Sequence, residues 1–199
     1  NAVCETLMTE ARRRKVDAYD VLAEEAALTP PGAEGLFFLP YLAGERTPHA
    51  DPNARGAFVG LTLKHGRGHL VRAIMEGVTY SLRDCLAIIE EQKVTVKQIR
   101  ASGGGARSAF WRQMQADVLN KTVVSMAADE GPAYGVALLA AVGAGEFNNI
   151  QEACDATVKT KSQTKPAASA RRVYDTGFPE YQQLYHSLRE HFKTIGGLA

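Results

Sequence analysis

Gln98-Ile99-Arg100-Ala101-Ser102-Gly103-Gly104-Gly105-Ala106-Arg107-Ser108 runs from a short apolar segment through three glycines into an amphipathic stretch that continues to Leu119. A strand that turns into a helix through glycine gathers backbone N–H groups at the positive end of that helix, where a phosphate can come close. The run is not the dinucleotide fingerprint G-x-G-x-x-G, because Ser108 occupies the place of its last glycine. Nor is it a P-loop, since no Gly-Lys-Ser/Thr follows. A tight turn without a ligand uses the same residues, so the flanking chain has to decide.

Downstream, Thr122-Val123-Val124-Ser125-Met126 is short and β-branched, which predicts a strand. Asp129-Glu130-Gly131-Pro132 then opens a helix, with acids in the first turn and proline at its start. Residues 133–142 are apolar on every side, which predicts a buried core helix. Residues 151–158 read as helix, 159–170 as a polar surface connection, and 178–192 as a terminal amphipathic helix carrying Tyr181, Leu184, Tyr185 and Leu188.

Upstream, residues 3–28 read as two helices with a break near Asp17 to Asp20, closed by Thr29-Pro30-Pro31-Gly32. Residues 35–39 and 56–61 read as strands on either side of a long loop, Tyr41 to Arg55, and long ordered loops are often functional. From His69 to Gln92, Leu70, Ile74, Val78, Leu82, Cys85 and Ile89 recur at helical spacing, with Arg72, Glu76, Arg83 and Asp84 on the other side. Strands alternating with helices over 35–142 predict an α/β sheet covered by helices. Ligands of such sheets gather beyond the carboxyl ends of the strands, which is where Gly103–Gly105 and Asp129–Pro132 both stand.

The 199 residues suit one domain or slightly more, and 45% hydrophobic residues supply an ample core. With 23 basic and 22 acidic residues the net charge is +1, which gives no electrostatic reason to expect nucleic acid or an anionic membrane as partner. Arg12-Arg13-Arg14-Lys15, set among acids on a helix, reads as a solvated face. Three widely spaced cysteines in apolar helical settings read as reduced thiols, with no disulfide and no metal site, as in a cytoplasmic protein. No stretch has the roughly 18 apolar residues of a membrane span. The chain starts at Asn1 without an initiator Met, so it is expected to be a piece of a longer product.

Gly56-x-Phe58-x-Gly60-Leu61, followed after seven residues by His69-Leu70-x-x-Ala73-Ile74-Met75-Glu76, resembles the second signature of the FGGY carbohydrate kinases. Ser102 to Ser108, with Trp111-Arg112-Gln113-Met114 and Ala116-Asp117 after it, is similar to that family's adenosine motif. Within the family, the loop Phe38 to His49 and the helix opening Glu130 to Ala137 are similar to those of its xylulose-phosphorylating members. The likeness is strong over residues 35–145 and looser to about 192.

The resemblance implies an α/β fold: the C-terminal lobe of the actin-like ATPase (ribonuclease H-like) fold, incomplete, with extra terminal helices. It divides the chain into a helical lead-in, 1–30, and a nucleotide-binding lobe, 31–199. It implies ATP with Mg²⁺ as cofactors and D-xylulose as acceptor, or the substrate of a sister gluconokinase, ribulokinase or glycerol kinase; a noncatalytic nucleotide-binding module is the other possibility. Gly103 and Gly104 would meet the nucleotide phosphates through backbone N–H. Gly105 falls where some relatives have Ala, and Ser108 would lie beside the adenine or ribose. Arg46 and Thr47 sit on a loop that could face the cleft; Arg46 would neutralise phosphate there or else pair with Glu45 or Asp51. His49 is expected to be structural, Asp117 to make a local hydrogen bond or ion pair, and Trp111 to pack. In this family the catalytic Asp and most sugar contacts precede the region where this sequence begins. The chain alone is therefore expected to be inactive, with the pentulose held by the other lobe and a homodimer as the oligomeric state to test.

Overall fold

The computed structural model describes residues 2–127 and 131–198. Asp129 and Glu130, read above as part of a helix opening, lie outside the described residues.

Helices α1 (Ala2–Arg14) and α2 (Ala18–Ala27) are separated at residues 15–17, slightly ahead of the predicted break, and Asp17 caps α2 by accepting from Tyr19 N at 2.8 Å. Strand β1 (Phe37–Leu39) pairs antiparallel with β2 (Ala57–Val59), Phe38 opposite Phe58. β1 packs beneath α3 (Arg67–Glu91), the long central helix. The approach is so close at Gly77 that a Cβ there would stand 2.1 Å from Phe38 O.

Strand β3 (Gln98–Ala101) leads through the glycines to a short helix α4 (Gly104–Arg107) and then α5 (Ala109–Leu119). Strand β4 (Thr122–Met126) returns parallel to β3, with Gln98 opposite Thr122 and Ala101 opposite Ser125. After α6 (Pro132–Gly143) and α7 (Ile150–Thr157), β5 (Thr160–Thr164) joins the far side of β4 antiparallel. The 29-residue α8 (Ala168–Gly196) then crosses the body, burying Tyr174, Tyr181, Tyr185 and Phe192 in a core shared with Leu39, Tyr41, Tyr80, Met114 and Val118.

Five expectations change. The strands form two small sheets, β1–β2 and β3–β4–β5, not one. The stretch 159–170 contains β5, an edge strand whose polar residues face water along most of its length. The terminal helix begins ten residues earlier than expected, which puts Pro179 in its interior instead of its first turn. Helix α6 is not a core helix: Val136 is 65% and Leu139 61% exposed, and Leu138 is its one buried residue among those described. Its packing is onto α7, which covers a single side.

The fifth change concerns α3, which turns its face around. Ile74, Leu82 and Ile89 of the apolar stripe are exposed, while Arg72, Met75, Glu76, Thr79, Tyr80 and Asp84 are buried. The polar members of that inner face are satisfied by partners that local sequence does not reveal. Arg72 Nε donates to Glu76 Oε1 at 2.7 Å, and Arg72 Nη2 donates to Tyr174 OH at 2.8 Å. Tyr174 OH and Gly32 N donate to the same Glu76 oxygen at 2.9 and 3.0 Å. Arg72 Nη1 also donates to the carbonyls of Ala26 and Thr29 at the end of α2, where a cation suits the negative pole of the helix. One ion pair thus ties α2, the Thr29–Gly32 turn and α8 to α3.

Candidate nucleotide site and family

The parallel pairing of β3 and β4 sets their carboxyl ends side by side, so Ser102–Gly105 and Met126–Ala127 share one edge of the sheet. Gly103 turns that corner with φ 71° and ψ −160°, a backbone state open to glycine and little else. No atom lies within 4 Å of where a Cβ would stand on Gly103 or Gly104. The amides that begin α4 have no carbonyl four residues back to receive them. Bare main chain with open space before it is a surface that an anion can approach, and this is the fit that a nucleotide phosphate requires.

Gly105 differs from its neighbours. Its Cβ position lies 3.4 Å from Trp111 Cε3 and 3.5 Å from Gln115 Nε2, ordinary contact that leaves room for Ala. Ser108 is the N-cap of α5, its Oγ accepting from Trp111 N at 3.2 Å. Trp111 packs against the main core, and its Nε1–H donates to Thr79 Oγ1 of α3 at 3.3 Å. Arg112 straps the corner from below, donating through Nη1 to the carbonyls of Ala106 and Arg107. Asp117 makes the local hydrogen bond expected of it, accepting from Gln113 Nε2 at 2.8 Å, and also accepts from the distant Ala167 N at 2.6 Å, ahead of α8.

The loop 41–55 is fixed by other means. Glu45 and Asp51 exchange backbone hydrogen bonds of 2.9 and 2.8 Å. Asp51 accepts from Asn53 N and, at 2.9 Å, from Tyr185 OH, and these bonds hold its carboxyl below the ordinary range. Tyr41 OH meets Tyr181 OH at 3.0 Å, and His49 stacks on Tyr185 with ring centroids 3.4 Å apart. Burial pushes His49 down to about 4, so it is neutral at pH 7 and serves packing. Arg46 and Thr47 project from the exposed tip of the loop. Thr47 N donates to Glu45 Oε1 at 2.8 Å, and among the described residues Arg46 pairs with neither Glu45 nor Asp51. No hydrogen bond among the described residues joins this loop to the glycine corner.

Two cavities, of about 370 and 460 Å³, lie away from the corner. The first sits against Arg72, Phe110, Asp117 and Tyr174, the second against Pro48, Asp84 and His186. The corner itself is an open edge. Among the described residues no group of three His, Cys, Asp or Glu side chains could hold a metal ion, and no helix is long and apolar enough to cross a membrane. Cys85 and Cys154 are free thiols.

Comparison with known proteins places the chain in a family. A xylulose kinase of Bacillus subtilis (strain 168) is 38% identical over 169 residues, covering 85% of this chain and 34% of the relative. A gluconokinase of the same strain is 37% identical over 186 residues, covering 93% of this chain and 36% of the relative. The crystal structure of a ligand-bound xylulose kinase from Lactobacillus acidophilus superposes with a TM-score of 0.83 at 28% identity, over 96% of this chain and 39% of that one. The chain spans about a third of the length of the curated relatives it matches. Residues 2–144 match the model of the C-terminal domain of the FGGY carbohydrate kinases. The chain therefore belongs to the FGGY family of carbohydrate kinases, as a C-terminal domain with that family's actin-like ATPase fold.

Proposed function

We propose that this chain is the nucleotide-binding lobe of an ATP-dependent D-xylulose kinase. The observation that carries the reading is the glycine-only turn at Gly103, open to solvent beside the end of a parallel strand pair. The amides of Gly103, Gly104 and Gly105 would hold the nucleotide's phosphates. Ser108 would stand near the adenine or ribose, its backbone set by the cap it forms on α5. Arg46, exposed at the loop tip, would help to neutralise phosphate, with Thr47 beside it.

Phosphoryl transfer rests on positioning and on neutralising charge around the γ-phosphate, with a carboxylate taking the proton of the attacking hydroxyl. Mg²⁺, when bound, would supply that neutralisation on the nucleotide's phosphates. The catalytic Asp and most of the sugar pocket would belong to the part of the relatives' length that this chain does not span, so the chain alone would bind nucleotide without turning over sugar. Xylulose is preferred to gluconate as acceptor because the Phe38–His49 loop is similar to that of xylulose kinases and several xylulose kinases are among the relatives. The gluconokinase relative at 37% identity marks the rival substrate.

The test has two arms. Calorimetric titration of ADP into the 199-residue chain should show binding that Gly104→Asp abolishes, because a carboxylate would face phosphate at a position where the fold has room for the side chain. Unchanged affinity in the variant refutes the site. In a coupled assay the complete gene product should phosphorylate D-xylulose faster than D-gluconate; the reverse order assigns the acceptor to the rival.

A further inference from the structure

Arg112 lies in the first turn of α5, just past the glycine corner. Side chains of a helix lean toward its N-terminus, so the guanidinium reaches back over the junction between α4 and α5. Its Nη1 donates to Ala106 O and, at 3.0 Å, to Arg107 O. Both carbonyls belong to α4, which at four residues is too short to supply them with amides of its own. Ala106 in turn closes the corner, its N donating to Gly103 O at 3.1 Å. Ala106 is therefore held on both sides, by Gly103 in front and by Arg112 behind. Through it, the side chain of Arg112 connects to the residue whose φ of 71° makes the turn.

Two features separate this contact from an ordinary surface cap. Arg112 forms no ion pair among the described residues, so no carboxylate of theirs competes for its fork. Its Nε is closed off from water and has no acceptor. A buried donor left unmatched is unfavourable, so stability alone gives a poor reason for an arginine here. The corner, for its part, needs support from behind. It is open in front, with no atom within 4 Å of the Cβ positions of Gly103 and Gly104, and only Gly105 rests against Trp111 and Gln115. Three glycines in a row have more freedom to lose than any other residues, and a ligand that meets them unordered has to order them.

We propose that Arg112 is a positioning residue for the nucleotide: by fixing the carbonyls of Ala106 and Arg107 it holds the main chain of Gly103–Gly105 in the arrangement that phosphate uses. It acts through the backbone and does not itself touch the ligand. The inference rests on the nucleotide reading of the corner. Order imposed before the ligand arrives appears as affinity for that ligand, and this separates positioning from a role in stability alone.

The test is calorimetric titration of ADP into the 199-residue chain and its Arg112→Met variant, with urea unfolding of both. Methionine keeps an apolar stem and offers no donor. The variant should bind ADP at least about tenfold more weakly. In the complete gene product the same substitution should raise KM for ATP while KM for the sugar stays close to that of the parent. A variant that binds ADP as tightly as the parent overturns the proposal, whatever its stability, and so does an equal rise in both KM values. Should the variant not fold, the unaltered chain decides. Closed off from water, the Nε–H of Arg112 exchanges slowly enough to be followed by NMR; during an ADP titration it should shift saturably with the dissociation constant of the Gly104 amide, and a resonance that stays in place overturns the proposal. The two readings fail separately. ADP binding that is absent from the parent, or indifferent to Gly104→Asp, refutes the corner and this inference with it; binding lost in Gly104→Asp but kept in Arg112→Met refutes the inference alone.

Discussion

Replacing Arg72 with Met removes the cation that makes Glu76 tolerable inside the core. Both side chains are about 5% exposed or less, so water cannot take over the role of the guanidinium. Breaking such a pair from one side costs about 3–5 kcal/mol. Glu76 is already raised from its ordinary range by burial, against the pull of Arg72, and without Arg72 it rises further. A carboxyl whose folded pKa is raised contributes its full stability below the unfolded value and loses it as pH climbs to the folded value. Because Glu76 is raised further in the variant than in the parent, the deficit of the variant should shrink as pH falls from 7 to 5. The lost hydrogen bonds to Ala26, Thr29 and Tyr174 form a remainder that does not depend on pH. Urea unfolding at the two pH values measures this directly, and thermal scans at pH 7 should show a midpoint lower by roughly 6–20 °C. A loss below about 1 kcal/mol at pH 7, or a deficit equal at both pH values, would refute the assignment of Arg72 as the counter-charge of Glu76.

Two further outcomes follow from the packing. Gly77→Ala gains about 1 kcal/mol of helix propensity but drives a methyl to 2.1 Å from Phe38 O; overpacking against backbone should win, lowering the unfolding midpoint, and a raised midpoint would mean that β1 can move away from α3. Asp51, held low by Asn53 N and Tyr185 OH, contributes stability above its unfolded pKa that is lost as pH falls through the folded value. Asp51→Asn should therefore be less stable than the parent at neutral pH but converge with it below about pH 4, and parallel acid-unfolding curves would remove Asp51 from the account.

The glycine corner and the elements around it were legible because their signals are local. Val123 and Val124 are β-branched and buried, Asp17 caps its helix within three residues, and Ser102–Ser108 turns a strand into a helix by composition alone. The inner face of α3 was not legible, because Arg72 and Glu76 are buried by partners 102 and 98 positions away, at Tyr174, and by carbonyls from α2. Periodicity records which residues are apolar; here a satisfied ion pair took the inner side and left Ile74, Leu82 and Ile89 outside. Helix α6 misled for a related reason: an apolar surface shows that a helix wants a neighbour, while the described chain supplies one on a single side. Strand β5 was hidden by its polarity, which suits an edge that faces water. Asp84 gave no signal at all, since a carboxylate on the polar side of a helix reads as solvated until the packing of α8 closes over it.

The most direct measurement of the nucleotide site is a crystal structure of the chain with ADP. The diphosphate should lie within hydrogen-bonding distance of the amides of Gly103, Gly104 and Gly105, beside the carboxyl ends of β3 and β4. A diphosphate bound elsewhere, with those amides left facing solvent, would contradict the account.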